Sequence, residues 1–207
     1  MVICRVGGAA ANVTRRSVAR AARPRMTTML AILRAATFAA TAHVGQTRKG
    51  LPDPYIIHPL RVAQHAAQAD LGEDAVVAAL LHDVVEDTTH TWDDLRVAGF
   101  TERAIALARL LTKWWESGDE DNERDKATYY ARILADREAT LLKLLDRTDN
   151  MQDLVRIVSA RRDFAEKYLK KTRREFAPLL ERCDNTYVLQ VFRERLTALE
   201  SALDRRR

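Results

Sequence analysis

Cysteine is nearly absent from this 207-residue chain, which contains only Cys4 and Cys183. The two lie too far apart for a metal-binding motif and are too few for a disulfide framework, as is usual in a reducing compartment. No apolar run approaches the roughly 18 residues of a membrane-spanning helix. We therefore expect a cytoplasmic protein that associates with no membrane.

Glycine and proline are also scarce, with seven and five residues respectively. The sequence contains no Gly-rich phosphate-binding loop, no internal repeat and no convincing strand. Frequent alanine, leucine and arginine favour helices instead. The length is that of one domain, with or without appendages. These features together predict an all-α protein.

Acidic residues are missing from positions 1–30, where six arginines lie. This segment accounts for the net charge of +5, because the rest of the chain holds 28 basic and 29 acidic residues. A nearly neutral folded part gives no reason to expect a nucleic-acid partner. We interpret residues 1–27 as a disordered or leader segment, with a transit peptide or a later start at Met26 or Met29 as alternatives.

One short stretch concentrates the polar chemistry of the chain. It contains an imidazole and three carboxylates within six residues, namely His82, Asp83, Glu86 and Asp87. They directly follow the apolar run 75–81, and the absence of glycine and proline predicts one helix over 73–87. At about 100° per residue, all four polar groups share one face of that helix. Because buried neighbouring charges are costly unless paired or bound to a metal, the pattern favours a cation or substrate over a solvated helix end.

Two other segments carry candidate ligands. Pro59 suits the first position of a helix that runs to about Ala69, so we expect His58 at the N-cap of that helix. Asp146 ends a second apolar run, and Asn150 lies four residues further along the same helix face. Two imidazoles and two carboxylates with no thiolate suit Mn²⁺, Fe²⁺ or Zn²⁺ better than Ca²⁺ or a structural zinc knot.

Further charged residues are placed to serve such a metal. Glu86 and Asp87 follow the His-Asp pair by one helical turn, where a carboxylate can hold or deprotonate an attacking water. Arg48 and Lys49 lie in a Gly-punctuated loop before His58, where they can meet a phosphate or stack on a base. The spacing therefore indicates metal-assisted phosphoryl chemistry.

Four segments resemble the hydrolase half of the RelA/SpoT family, a branch of the HD-domain superfamily, in the same order and with similar spacing. They are HVGQTRK at 43–49, PYIIHP at 54–59, AALLHDVVEDT at 78–88 and KLLDRTDNM at 143–151. The resemblance covers roughly residues 30–158. It implies a guanosine 3′,5′-bis(diphosphate) 3′-pyrophosphohydrolase, similar to the stand-alone small alarmone hydrolases because little chain follows these segments.

The resemblance also implies an architecture, a metal and residue roles. The expected fold is an all-α HD bundle over 28–182 with a metal site in its core, followed by a packing helix in 183–207. The ligands of one Mn²⁺, or of another divalent metal, would be His58, His82, Asp83 and Asp146. The water-orienting residues would be Glu86 and Asp87, and the nucleotide would contact Arg48, Lys49, Tyr55 and Asn150. Among these four, the family places the arginine against guanine, the lysine near the phosphates, the tyrosine along the pocket and the asparagine at the ribose.

Several alternatives stay open at the level of sequence. The same site suits a phosphatase for another nucleotide, such as the 2′-phosphate of NADPH, and also a domain that senses a nucleotide without hydrolysing it. Leu145 replaces the usual alanine of the family, and Trp114-Trp115 with the charged loop 114–125 has no counterpart there. That loop is either a lid or merely solvated. The helices over 161–182 and 185–204 are read as packing elements, which leaves a homo-oligomer open.

Overall fold

The computed structural model describes residues 19–113 and 123–205, with side chains over 28–113 and 124–205. The described part contains ten helices: α1 (Ala19–Ala42), α2 (Ile57–Gln68), α3 (Glu73–Leu81), α4 (Val84–Asp87), α5 (Trp92–Val97), α6 (Glu102–Leu111), α7 (Glu123–Leu134), α8 (Arg137–Ile157), α9 (Arg162–Arg182) and α10 (Thr186–Asp204). The only β pairing in this part is an isolated bridge between Thr47 and Pro54. The predicted all-α class is confirmed. Within the same ranges, every helix is too short or too polar to traverse a bilayer.

Helix α1 begins at Ala19, inside the segment 1–27 that we interpret from the sequence as a disordered or leader segment. The remainder of the predicted leader, residues 1–18, lies outside the described residues, as do 114–122 of the charged loop. The leader, the lid and the division into a 28–182 domain with a packing helix therefore stay predictions.

Helix α2 starts earlier than expected, and His58 does not cap it. The N-cap is Ile56, which already has helical dihedral angles, and His58 lies inside the first turn. The reason is a preceding turn, in which the N–H groups of Ile57 and His58 donate to the backbone oxygens of Pro54 and Tyr55. The helix continues from this turn, and Pro59 is tolerated because the first-turn N–H groups need no helical partner. His58 is consequently held by a regular helix rather than at its flexible edge.

The single helix predicted over 73–87 is wrong, because the structure divides it into α3 and α4. His82 and Asp83 lie between the two, and Asp83 adopts φ −95° and ψ −8°, in the bridge region between helix and strand. The hydroxyl of Thr112 lies 3.2 Å from the backbone oxygen of His82 and 3.0 Å from that of Ala108, and its single proton can be donated to one of them at a time. The break changes the direction in which the side chains of Glu86 and Asp87 point.

Helix α8 lies at the centre of the bundle and packs against α2, α3, α6, α7, α9 and α10. Helix α3 packs against α1, α2 and α6, and every residue of 75–81 is buried, as expected for a helix that is apolar on all sides. Helix α8 is buried over 139–149 as well, yet it encloses charged residues there. Buried charges require partners, so this face of α8 is where a functional site is expected.

Candidate metal centre

Four side chains from three separate segments converge in the interior of the bundle. Helix α2 supplies His58, the break between α3 and α4 supplies His82 and Asp83, and the middle of α8 supplies Asp146. The Nε2 atom of His58 lies 3.4 Å from Asp83 Oδ2 and 3.4 Å from Asp146 Oδ1. The Nε2 atom of His82 lies 3.2 Å from Asp83 Oδ1 and 4.0 Å from Asp146 Oδ1. Each Nε2 therefore lies within 4.0 Å of an oxygen of both carboxylates, as expected for side chains that share one cation.

The orientation of His82 directs a lone pair at that point. Its Nδ1 lies 2.8 Å from the backbone oxygen of Ala79, which can only accept, so Nδ1 carries the proton of the neutral ring and Nε2 does not. His82 is 3% exposed, and within the described residues its Nε2 has no hydrogen-bond partner. A buried lone pair without a donor is unfavourable, whereas a metal ion satisfies it. Ligand atoms of His58, His82 and Asp83 all lie within 4.8 Å of one another, a set that does not include Asp146, so these three residues fit a divalent metal.

Asp146 is kept ionised by its neighbours on α8. The ammonium of Lys143 lies 2.9 Å from Asp146 Oδ2, and the side-chain amide of Asn150 donates to Asp146 Oδ1 at 2.6 Å. Burial by itself would raise the pKa of Asp146, but the charge of Lys143 and the contact with His58 hold that pKa well below its usual range. Burial would likewise lower the pKa of His58, but hydrogen bonds to the carboxylates of Asp146 and Asp149 outweigh it and raise the pKa to about 9.

Tyr55 joins the cluster to Asp87. Its hydroxyl lies 2.7 Å from Asp83 Oδ2 and 2.7 Å from Asp87 Oδ2, and its single proton can be donated to one of them at a time. Burial and these two negative charges raise the pKa of Tyr55, so the phenol stays protonated. The ring of His43 stacks on Tyr55 with centroids 4.6 Å apart, and the amide of Gln46 donates to the backbone oxygen of Asp87. The loop before α2 therefore fixes Asp87 beside the cluster.

Glu86 has different neighbours from Asp87, contrary to the predicted common face. The backbone N–H of Lys113 donates to Glu86 Oε2 at 3.2 Å. Glu86 remains exposed by surface area, yet the protein packed around its carboxyl group and the charge of Asp83 raise its pKa. Glu86 and Asp87 are consecutive residues of α4, about 100° apart around its axis, so their carboxylates reach different neighbours.

Two cavities adjoin the cluster on its α8 and α9 side. One has a volume of about 520 Å³, includes Asp146 and Asn150 in its wall, and is lined by the cations Lys49, Lys113, Lys126, Lys143, Arg147, Lys167 and Lys171. The other has a volume of about 300 Å³ and lies between Arg48, Tyr55 and the apolar side chains Leu154, Ile157 and Phe164. Lys49 and Asn150 line both cavities. A compartment rich in cations thus meets a more apolar one next to the candidate metal ligands.

Arg48 is held rigidly at the wall of the smaller cavity. It is 8% exposed, its Nε donates to Asp153 Oδ2 at 2.8 Å, and its Nη2 donates to Asn150 Oδ1 at 2.7 Å. The guanidinium also lies 5.2 Å from the centroid of the Tyr55 ring. Lys49, by contrast, lies near the ring of Phe164 at 5.7 Å.

Four charged residues at the site were not predicted from the sequence: Arg61, Lys143, Asp149 and Asp153. Asp149 accepts from His58 Nδ1 at 2.6 Å and from the guanidinium of Arg61, which also donates to Asp153 Oδ1 at 2.7 Å. The helical spacing offered a signal, since Arg61 follows His58 by three residues and Asp149 follows Asp146 by three.

Residues 35–184 match the model of the HD domain family. The chain therefore belongs to that family, and the predicted HD bundle is confirmed. A solved metazoan orthologue of SpoT, described as hydrolysing ppGpp, has the same fold, with a TM-score of 0.63 and 24% identity over 84% of this chain and 96% of that one.

Curated relatives confirm the resemblance to the RelA/SpoT hydrolases. The guanosine-3′,5′-bis(diphosphate) 3′-pyrophosphohydrolase of Aquifex aeolicus is 36% identical over 155 residues, which is 73% of this chain and 21% of that protein. The enzyme of the same name from Haemophilus influenzae is 37% identical over 150 residues, 70% of this chain and 21% of that protein. The chain thus spans about a fifth of the length of these relatives.

Proposed function

We propose that this chain is a metal-dependent phosphohydrolase that removes the 3′-pyrophosphate from the guanosine alarmone (p)ppGpp. The observation that carries the proposal is the convergence of His58, His82, Asp83 and Asp146 beside a cavity of about 520 Å³ lined by lysine and arginine. The names of the relatives from Aquifex and Haemophilus support the substrate.

We propose Mn²⁺ as the resident metal, because a site with two imidazoles, two carboxylates and no thiolate suits it. A divalent cation held by these four residues supplies Lewis acidity and lowers the pKa of a bound water. Asp87, fixed by Tyr55 and Gln46, is placed to orient the attacking water and accept its proton. Glu86 supports this role from the other side, since its raised pKa makes it a better proton acceptor than an ordinary carboxylate.

The two cavities divide the recognition of a nucleotide between them. The smaller cavity suits the base, which can stack on the guanidinium plane of Arg48 because Asp153 and Asn150 hold that plane still. The larger cavity suits phosphate groups, with Lys49 at the junction and Arg147 held between the rings of Tyr168 and Phe176 at 4.2 Å each. Asn150, shared by both cavities, then lies where the ribose would be.

Two alternatives are weaker. A phosphatase for one phosphate, such as the 2′-phosphate of NADPH, could use the same metal, but the number of cations along the larger cavity favours a pyrophosphoryl group. A sensor that binds without hydrolysis has no need of a carboxylate such as Asp87 beside the metal ligands. On the sequence grounds given above we also propose a cytoplasmic location and no nucleic-acid partner.

The test is a substrate panel with the purified full chain and Mn²⁺. We expect pyrophosphate from ppGpp, and neither pyrophosphate nor orthophosphate at a comparable rate from GTP or NADPH. His82→Ala and Asp83→Ala should abolish turnover, whereas Asp93→Ala, an exposed carboxylate on α5, should retain it. Orthophosphate from NADPH as the main product would replace the proposed substrate, and robust turnover by Asp83→Ala would refute the site.

A further inference from the structure

We infer that Asp149 is the positioning residue of the candidate metal ligand His58, an inference that rests on the metal site of the proposed function. Asp149 Oδ2 lies 2.6 Å from His58 Nδ1, and the two residues are each 1% exposed. An ionised carboxylate only accepts hydrogen bonds, so Nδ1 carries a proton, and the lone pair that His58 can offer a metal ion, once its ring is neutral, is that of Nε2. That Nε2 faces Asp83 and Asp146. Asp149 therefore acts on the metal site through His58.

The carboxylate of Asp149 is itself fixed from the opposite side. Arg61 donates through Nε to Asp149 Oδ1 and through Nη2 to Asp149 Oδ2, the two-pronged geometry in which guanidinium and carboxylate planes hold one another. Asp153 accepts from Arg61 Nη2 at 2.7 Å and from Arg48 Nε at 2.8 Å. These hydrogen bonds restrict the carboxylate of Asp149 to one orientation, and the carboxylate in turn restricts the imidazole of His58 to one orientation.

Such a partner matters because the ring of a histidine has two nitrogens that can exchange roles. Without an acceptor at Nδ1, the neutral His58 ring can carry its proton on Nε2 or rotate, and in either case it presents no lone pair to the cation. Hydrogen-bonded carboxylates behind metal-binding histidines typically contribute about 10- to 100-fold to metal affinity. His82 obtains the same orientation from a backbone oxygen, which a side-chain substitution cannot remove. His58 is therefore the ligand that depends on a single side chain.

The experiment compares Asp149→Asn with Asp153→Asn in the full chain. Asp149 and Asp153 are both buried carboxylates of α8 that pair with Arg61 of α2, but only Asp149 contacts a metal ligand. Titration with Mn²⁺ alone, followed by the EPR signal of free Mn²⁺, should show affinity about 10- to 100-fold weaker for Asp149→Asn. Asp153→Asn should keep an affinity near that of the wild type.

A spectroscopic measurement separates positioning from general loss of structure. In the Zn²⁺-loaded wild type, the proton on His58 Nδ1 should resonate far downfield because it is shared with a carboxylate, and this signal should move upfield or vanish in Asp149→Asn but persist in Asp153→Asn. If Asp149→Asn does not fold, Arg61→Met/Asp149→Asn removes both charges of the pair and should show the same loss of Mn²⁺ affinity.

Wild-type Mn²⁺ affinity together with an unchanged Nδ1 proton signal in the Asp149 variant would overturn the inference. An equal loss of affinity in Asp153→Asn would also overturn it, since the effect would then belong to the ion-pair network as a whole. A wild-type chain that binds Mn²⁺ but hydrolyses no ppGpp would refute the proposed function alone, because the role of Asp149 is read from metal binding and from the His58 signal.

Discussion

Lys143→Met should destabilise the metal-free protein by about 3 kcal/mol, at the lower end of the cost of removing one partner from a buried ion pair. Lys143 is 8% exposed, and its ammonium lies 2.9 Å from Asp146 Oδ2. Methionine retains most of the apolar stem, so the loss comes from the carboxylate that stays buried without its cation. The amide of Asn150 still donates to Asp146, which is why the lower end of the range is expected.

The measurement is urea unfolding followed by circular dichroism in the presence of a chelator. A loss of about 3 kcal/mol leaves a domain folded, since native domains have roughly 5–15 kcal/mol of stability. The control is the double variant Lys143→Met/Asp146→Asn, which removes both charges and should recover most of the loss. Two results would contradict this: a cost of less than about 1 kcal/mol for Lys143→Met, or losses in Lys143→Met and Asp146→Asn that simply add in the double variant. In either case Lys143 does not stabilise the charge of Asp146.

Two further outcomes are expected. Asp136→Ala should cost about 1–2 kcal/mol, because Asp136 caps α8 at the N–H of Ala139 and pairs with Arg103, whereas Asp136→Asn should keep the cap and lose only the ion pair. Arg103 holds the pKa of Asp136 below its ordinary value of about 4. The ion pair should therefore contribute its full stability above that pH and lose it as the pH falls through the lower pKa of the folded state. Urea unfolding at several pH values measures this. An Asn variant that differs from the wild type equally at every pH would contradict this. Tyr55→Phe should lower kcat for ppGpp roughly 10- to 100-fold with little change in unfolding free energy, because it keeps the ring but releases Asp87. An unchanged kcat would show that Tyr55 does not fix Asp87 for the reaction.

Features with a local cause were predictable from the sequence. Thr91 and Asp94 form a capping box at the start of α5, and the sequence predicts it because both hydrogen bonds join residues three apart. The family resemblance also indicates which side chains lie close together, because short motifs in a fixed order are typical of one fold. They are His58, His82, Asp83 and Asp146. The departure at Leu145 has a simple account as well: this side chain is fully buried in the apolar core.

Features with a distant cause were not predictable. One polar contact at the break between α3 and α4 comes from the hydroxyl of Thr112, which is 30 residues from His82 in the sequence. Arg61 and Asp149 are 88 residues apart, and the sequence offers many other arginines as partners for that carboxylate. Periodicity identifies which face of a helix is buried, but it does not say which charge on a second helix will meet it.

The charges around the candidate site explain why its polar interior is tolerated and why it suits a cation. The buried or partly buried carboxylates are Asp83, Asp146, Asp149 and Asp153, and the cations paired with them are Lys143, Arg61 and Arg48. Each of the three acids on α8 therefore has a lysine or arginine partner, whereas Asp83 has none and is flanked by the two imidazoles and the Tyr55 hydroxyl. Asp87 adds further negative charge through the same hydroxyl. This surplus of negative charge lies beside Nε2 of both histidines, so a divalent ion bound there would neutralise it. By binding only the folded state, such an ion would stabilise the protein by about 2.7 kcal/mol at 100 times its dissociation constant.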